Sequence, residues 1–268
     1  MTLVRIVYLK KIWRDQRYVL LVLVLFAALF EYLYTWVFLK SPVSNFIEAY
    51  FKFLPSEITS FLGVQAGTAF YQTQMLAFGY VHPLILISFF FFPISMPARY
   101  ISGEIESKSF DILFSRPVHR SIIPTHLFIF MSGATAIQVI AIITGTLIAD
   151  LQFSLLLRIY DYTRVVFVAF FFFLSLAAIS LALASFQNDR GKALTKIIGL
   201  VVFLYFYDTI TRLNEGLKIL YTFSYFKLYQ PGEIIMNKVS VSESILTSLI
   251  LIVIFLTIAI LQFNRRDL

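Results

Sequence analysis

The chain has 268 residues, 59% of them hydrophobic, with 30 phenylalanines, a charged fraction of 14% and a formal net charge of +7. Soluble domains carry about 25% charged residues, so this composition excludes a water-soluble fold. The positive balance reads as a topology signal, not as nucleic-acid binding, and the absence of cysteine excludes disulfides and thiolate chemistry.

Residues 1–17 carry Arg5, Lys10, Lys11, Arg14 and Arg17, with Ile6, Leu9 and Trp13 at i, i+3 and i+7. This spacing predicts an amphipathic helix lying along the inner membrane surface. A first span follows over 18–39, with Glu31 its only charge and no small-residue cleavage site behind it, as in an uncleaved anchor. An ionised side chain at mid-bilayer costs about 3 kcal/mol on insertion scales. Glu31 therefore lines a path within the protein or reaches the outer interface. Lying about 20 Å into the span at 1.5 Å per residue, it is expected to reach the interface.

The later part of 41–75 is uncharged but rich in hydroxyls and amides, which suits an outer helix or a shallow re-entry. The second span, 76–98, contains His82, Pro83, Pro93 and Pro97 and is expected to bend near both ends. Four runs, 58–98, 121–149, 165–188 and 244–264, hold no Lys, Arg, Asp or Glu. Each exceeds the roughly 20 residues needed to cross a bilayer. The remaining spans are predicted at 122–148, 165–187, 193–213 and 244–263. The fifth is shortened by Lys196, Asp208 and Arg212, whose charged heads must reach for the interfaces.

Small residues mark helix contacts: Ala141, Gly145 and Ala149 in the third span, and Ala177, Ala178, Ala182, Ala184 and Ser185 in the fourth. Gln138 in the third span and Asp208 in the fifth join Glu31 as weak candidates for a substrate pathway. Between 214 and 243, Tyr221, Phe223, Tyr225, Phe226 and Tyr229 suit the headgroup belt, with short interfacial helices.

Basic residues set the orientation. Fourteen of the 22 lysines and arginines fall on one side, in the N-terminal segment, the loops around 99–120 and 190–196, and the tail at Arg265 and Arg266. The other eight are matched by eight acids. The positive-inside tendency places both termini and the 99–120 loop in the cytoplasm.

The passage from Gly103 to Arg120, GEIESKSFDILFSRPVHR, is the one long polar stretch between uncharged runs. As a helix over 103–116 it puts Glu104, Lys108, Asp111 and Ser115 on one stripe and Ile105, Phe110, Ile112, Leu113 and Phe114 on the other. Glu104 and Glu106 in the first turn complement the helix dipole, and Arg116 followed by Pro117 ends it. The apolar face packs on a partner protein, on the inner span ends or on the membrane surface.

No phosphate-binding loop, HExxH helix or GxSxG elbow occurs, and His82, His119 and His126 lack metal-ligand spacing. No catalytic or metal site is therefore expected. Two readings stay open at this point: an intramembrane lipid-modifying enzyme using Glu31, His82 or Asp208, and a non-transporting membrane anchor or assembly protein.

The 103–120 passage resembles the inner loop between spans two and three of type-two ABC exporter permeases. Glu104, Glu106, Ser109, Phe110, Asp111, Leu113, Phe114, Ser115, Pro117, Val118 and Arg120 match it, and the tail Phe263 to Leu268 is similar to the family's basic ending. Lys108 stands where many members have glycine. The resemblance implies an all-α integral membrane protein of six spans, 1–268 as a single permease domain, in a prokaryotic cell membrane with both termini cytoplasmic. It also implies a coupling helix that docks on a separate ATP-binding subunit, present in two copies, through Glu104, Ile105, Glu106, Lys108, Phe110, Asp111, Leu113, Phe114, Arg116 and Arg120. A second permease, identical or paralogous, and membrane lipids complete the partners; nucleic acid is not among them. The chain itself then needs no cofactor, ATP and Mg being held by the ATPase. Burying four apolar residues of the coupling helix is worth about 1.5–3 kcal/mol per side chain before association costs.

Overall fold

A computed structural model describes residues 2–39, 76–110, 119–155 and 157–266. The segment 41–75, and with it the expected outer helix or re-entry, lies outside the described residues, as do residues 111–118. Among the described residues there is no strand. Six helices or helical segments are long and apolar enough to cross a membrane: Tyr8–Phe38, Leu76–Glu106, Ile122–Phe153, Ile159–Ser185, Arg190–Leu213 and Val241–Asn264.

The long helices are α1 (Thr2–Leu39), α2 (Pro83–Pro97), α3 (Ile122–Phe153), α4 (Ile159–Ser185), α5 (Arg190–Leu213) and α6 (Val241–Asn264). α1 is one uninterrupted helix, which corrects the expectation of a separate surface helix before the first span. Nothing in 1–17 breaks it, since the segment holds no glycine or proline. Its buried side is also a different one. Tyr8, Ile12, Gln16 and Leu20, at four-residue intervals, face the bundle, whereas Trp13 is half exposed and meets Phe130 edge-on.

The second span is interrupted at both ends, as its prolines foretell. Residues 76–79 are helical, the chain turns at Tyr80 and Val81, and α2 restarts with Pro83 in its first turn. His82 caps that start by accepting from the Leu84 amide at 3.3 Å. At the far end Pro97 is followed by a π-helical turn, Ala98–Ser102, a wider winding that is stable only where neighbours hold it.

α4 is the interior helix: 83% of its most apolar stretch is buried, against 22% for α5 and for α6. Its small residues Ala177, Ala178, Ala182, Ala184 and Ser185 are all buried, as expected from their spacing. α1 packs along α3, and α6 along α4. Gly145 shows how close α1 and α3 come: a Cβ there would lie 2.3 Å from the Ala28 carbonyl oxygen.

The 214–240 segment forms the short helices Lys218–Tyr221 and Pro231–Ile235. Its aromatics do not all sit in a headgroup belt. Phe223 is exposed, but Tyr225, Phe226 and Tyr229 are buried against Phe172 and Phe173 of α4. Each tyrosine hydroxyl finds a partner inside: Tyr225 donates to the Phe172 carbonyl, and Tyr229 to that of Tyr80. That satisfied hydroxyl is what permits burial instead of an interfacial position.

Candidate functional site

The termini and the 98–110 connector gather at one end of the bundle. The connector is more broken than its two-faced pattern suggests. Gly103–Glu106 is a single helical turn, Ser107 leaves the helix, and Lys108 has φ 54°, in the left-handed region that favours glycine. A continuous helix over 103–116 is therefore not formed at 107–108, and the stripe through Glu104 and Lys108 does not exist as such. The backbone here takes the conformation a glycine would take most easily.

Four spans hold this connector. From α1, the Lys11 ammonium pairs with Glu104 at 3.0 Å, and Gln16 donates to Tyr100, whose hydroxyl donates to Asp15. Toward α4, Ser102 donates to the Ala184 carbonyl at 3.1 Å. At α5, the Arg190 amide donates to Glu106 at 2.9 Å beside the cap that Asp189 gives Lys192, so two carboxylates sit on the positive end of that helix. At α6, Phe110 is buried and packs edge-on against Phe263. The tail closes the ring: Arg120 donates to the Arg266 carbonyl, and Arg266 donates to that of Gln187. Partial burial lowers the Arg266 guanidinium from its ordinary range.

The predicted docking residues thus divide. Glu106 and Lys108 are exposed, Glu104 and Ile105 are half-buried, and Phe110 is turned into its own bundle. Asp111, Leu113, Phe114 and Arg116 lie outside the described residues. Sequence reasoning missed Lys11, Tyr100, Ser102 and Arg190. Asp189, an N-capping residue type directly before a helical run, is the signal that could have marked the start of α5.

No hydrogen bond or ion pair joins any two of the three pathway candidates. Asp208 is bound up in structure: Arg212 pairs with it at 3.3 Å and Ser224 donates to it at 2.5 Å, tying α5 to the 214–240 segment. Gln138 donates to the Ser88 carbonyl at 3.1 Å, while its own Oε1 accepts nothing. Glu31 overturns its expectation. It is 0% exposed, enclosed between helices and not reaching an interface. Hydropathy gives the depth of a residue but not the side of the helix it occupies, and Glu31 occupies the inward side.

Among the described residues no group of three or more His, Asp or Glu side chains could hold a metal ion. No curated protein matches the chain. A family model described as ABC-2 family transporter protein matches residues 8–268, nearly the whole length. Six membrane-crossing helices, a polar connector after the second and a match of that extent give one conclusion: the chain belongs to the ABC-2 transporter family and is a multi-pass membrane permease with a role in transport.

Proposed function

We propose that this chain, paired with a second copy or a paralogue, forms the translocation path of an ABC exporter driven by two copies of a separate ATP-binding subunit. That subunit binds ATP and Mg and docks from the cytoplasm on the connector beginning at Gly103. One observation carries the reading: the exposed rim of Glu106, Ser107 and Lys108 belongs to a connector bonded to α1, α4, α5 and α6 at once. A push on that rim is distributed to four spans. Nucleotide-driven closure of the ATPases then drives alternating access, with the proline-flanked π-helical turn as the compliant element between rim and bundle.

In this reading the docking contacts come from Glu106, Lys108 and the residues of 111–116. Phe110 supports the connector from behind, and Glu104 links it to α1. Glu31 and Gln138 remain as the polar groups of a pathway, Asp208 being engaged.

Because the chain has no native cysteine, Ser107→Cys gives a single thiol. Labelling it in intact cells with an impermeant reagent would overturn the cytoplasmic placement; protection until the membrane is opened is expected. Purification from native membranes should bring an ATP-hydrolysing subunit with the wild-type chain. Ser107→Trp combined with Lys108→Glu should lose that subunit while the permease stays folded. Retention of a fully active complex by this variant would count against docking here.

A further inference from the structure

Glu31 lies where α1 meets residues 76–79 and α3. It is the one described glutamate side chain that is buried, and neither carboxyl oxygen has a hydrogen-bond partner. The enclosure is tight. A Cβ on Gly79 would stand 2.6 Å from Oε2 and 3.1 Å from Oε1, and a Cβ on Gly145 would stand 3.2 Å from the Glu31 Cβ. Two glycines on two elements therefore close on this side chain, and larger residues at either would collide with it or with its helix.

Among the described residues, no lysine or arginine pairs with Glu31. Of the facing groups, α1 contributes Tyr34 and Thr35, and the turn before α2 contributes Tyr80 and His82, the latter packed at tilted and edge-on angles among Phe30, Tyr34 and Phe78. From α3 comes Thr146, bonded to Tyr80 at 2.5 Å. From α4 comes Tyr162, itself within electrostatic reach of Asp150 and Asp161, and from the 214–240 segment Tyr229. Asp150 is engaged by the Leu157 amide and Asp161 by Arg164.

An ionised carboxylate with neither a donor nor a cation among the described residues is among the least favourable buried groups. Occupancy by a cation removes that penalty, and the space decides which cation. A metal ion needs several oxygens around it and an ammonium group needs a cavity, whereas on the Gly79 side even a Cβ would stand 2.6 Å from Oε2. A proton needs no room.

We propose that Glu31 is a proton-binding site, occupied while α1 is closed against Gly79 and Gly145 and emptied when these elements part. On parting, water reaches the carboxyl. The O–H bond breaks, its electron pair stays on the carboxylate oxygen, and the proton leaves on water; reclosure reverses the step. The occupied site rests on the geometry of this chain alone. Its emptying during a transport cycle rests on the exporter reading above.

The test of occupancy needs no partner subunit. The full-length chain in lipid nanodiscs at pH 7 should show an infrared carboxylic-acid C=O band that shifts in deuterium oxide and is absent from the isosteric Glu31→Gln variant. An unshifted spectrum in that variant would overturn the proposal, as would loss of the wild-type band when sodium replaces choline at constant pH. Should Glu31→Gln fail to fold, glutamate labelled with carbon-13 at the side-chain carboxyl in the wild-type chain settles the matter. A labelled acid band at pH 7 supports the site and its absence refutes it. With the ATPase complex, nucleotide-driven proton release into weakly buffered medium should appear in wild type and vanish in Glu31→Gln. No release, with the band present, would remove the cycle and leave the site.

Discussion

The two ends of the bundle treat charge in opposite ways. At the end bearing the termini, charges are plentiful, partly wet and paired across elements: Lys11 with Glu104, Arg120 and Arg266 with carbonyls, Glu106 with the first amide of α5. Toward the other end, the buried acids among the described residues are either engaged, like Asp208, or bare, like Glu31. Exposed pairs contribute little each and reform easily, whereas a buried polar group is costly to disturb. The first arrangement suits a part that must move against a partner; the second makes parting its helices costly, so that they separate only when driven.

This contrast can be broken most severely at the α1–α3 contact. Gly145→Leu should destabilise by about 3 kcal/mol or more, because the new Cβ meets backbone at Ala28 and not a yielding side chain. A thermal-unfolding midpoint in detergent unchanged from wild type would show the contact to be soft. Next comes Asp208→Leu, which strands the buried Ser224 hydroxyl and the Arg212 partner at about 2–3 kcal/mol. Asp208→Asn, which keeps an acceptor for Ser224, should recover much of that loss.

Alkaline pH probes the same corner. Burial first, then the charge of Asp208, push the Tyr221 phenol up to about 12 from 10.0. Because the folded value is the higher one, its contribution to stability is complete below pH 10 and is lost as the pH climbs from there toward 12. Unfolding followed over that window should show a decline that Tyr221→Phe reduces; an identical profile would dismiss the tyrosine as its source.

At the terminal end the effects should be smaller. Lys108→Gly removes a left-handed non-glycine residue and should stabilise the chain by about 0.5–1 kcal/mol. Glu104→Lys should cost about 1 kcal/mol or less, with the double exchange Lys11→Glu and Glu104→Lys restoring it. A loss of several kcal/mol at this pair would erase the distinction between the two ends.

Much of the architecture was readable from the chain because it depends on length and polarity. A charge-free run of twenty or more residues has few soluble alternatives, so the third, fourth and sixth spans follow from runs at 121–149, 165–188 and 244–264. Proline chemistry announced the broken ends of the second span, and small-residue spacing announced Gly145 and Ala178. What escaped was every property set by a second element. Glu31 is enclosed by Gly79 and Gly145, neither near it in sequence. Tyr225 and Tyr229 have the composition of belt residues, but backbone carbonyls of Phe172 and Tyr80 receive their hydroxyls. The turn at Lys108 was hidden because a lysine continues a helical pattern as well as any residue, and only the backbone angle reveals the break. The connector was found, but its hold on four spans was not, since Lys11, Ser102 and Arg190 carry no motif.

The unbroken α1 has a mechanical consequence. Lys11 and Glu31 lie on one rod about 30 Å apart at 1.5 Å per residue, and the rod bears on Gly145 at Ala28 and Glu31. That contact is a fulcrum with a long arm on one side. A swing of about 10° about it would carry Lys11 some ~5 Å sideways and barely translate the carboxyl group. The helix thus trades travel for torque, converting a broad sweep at the water-facing tip into a small, forceful twist at the seat of Glu31.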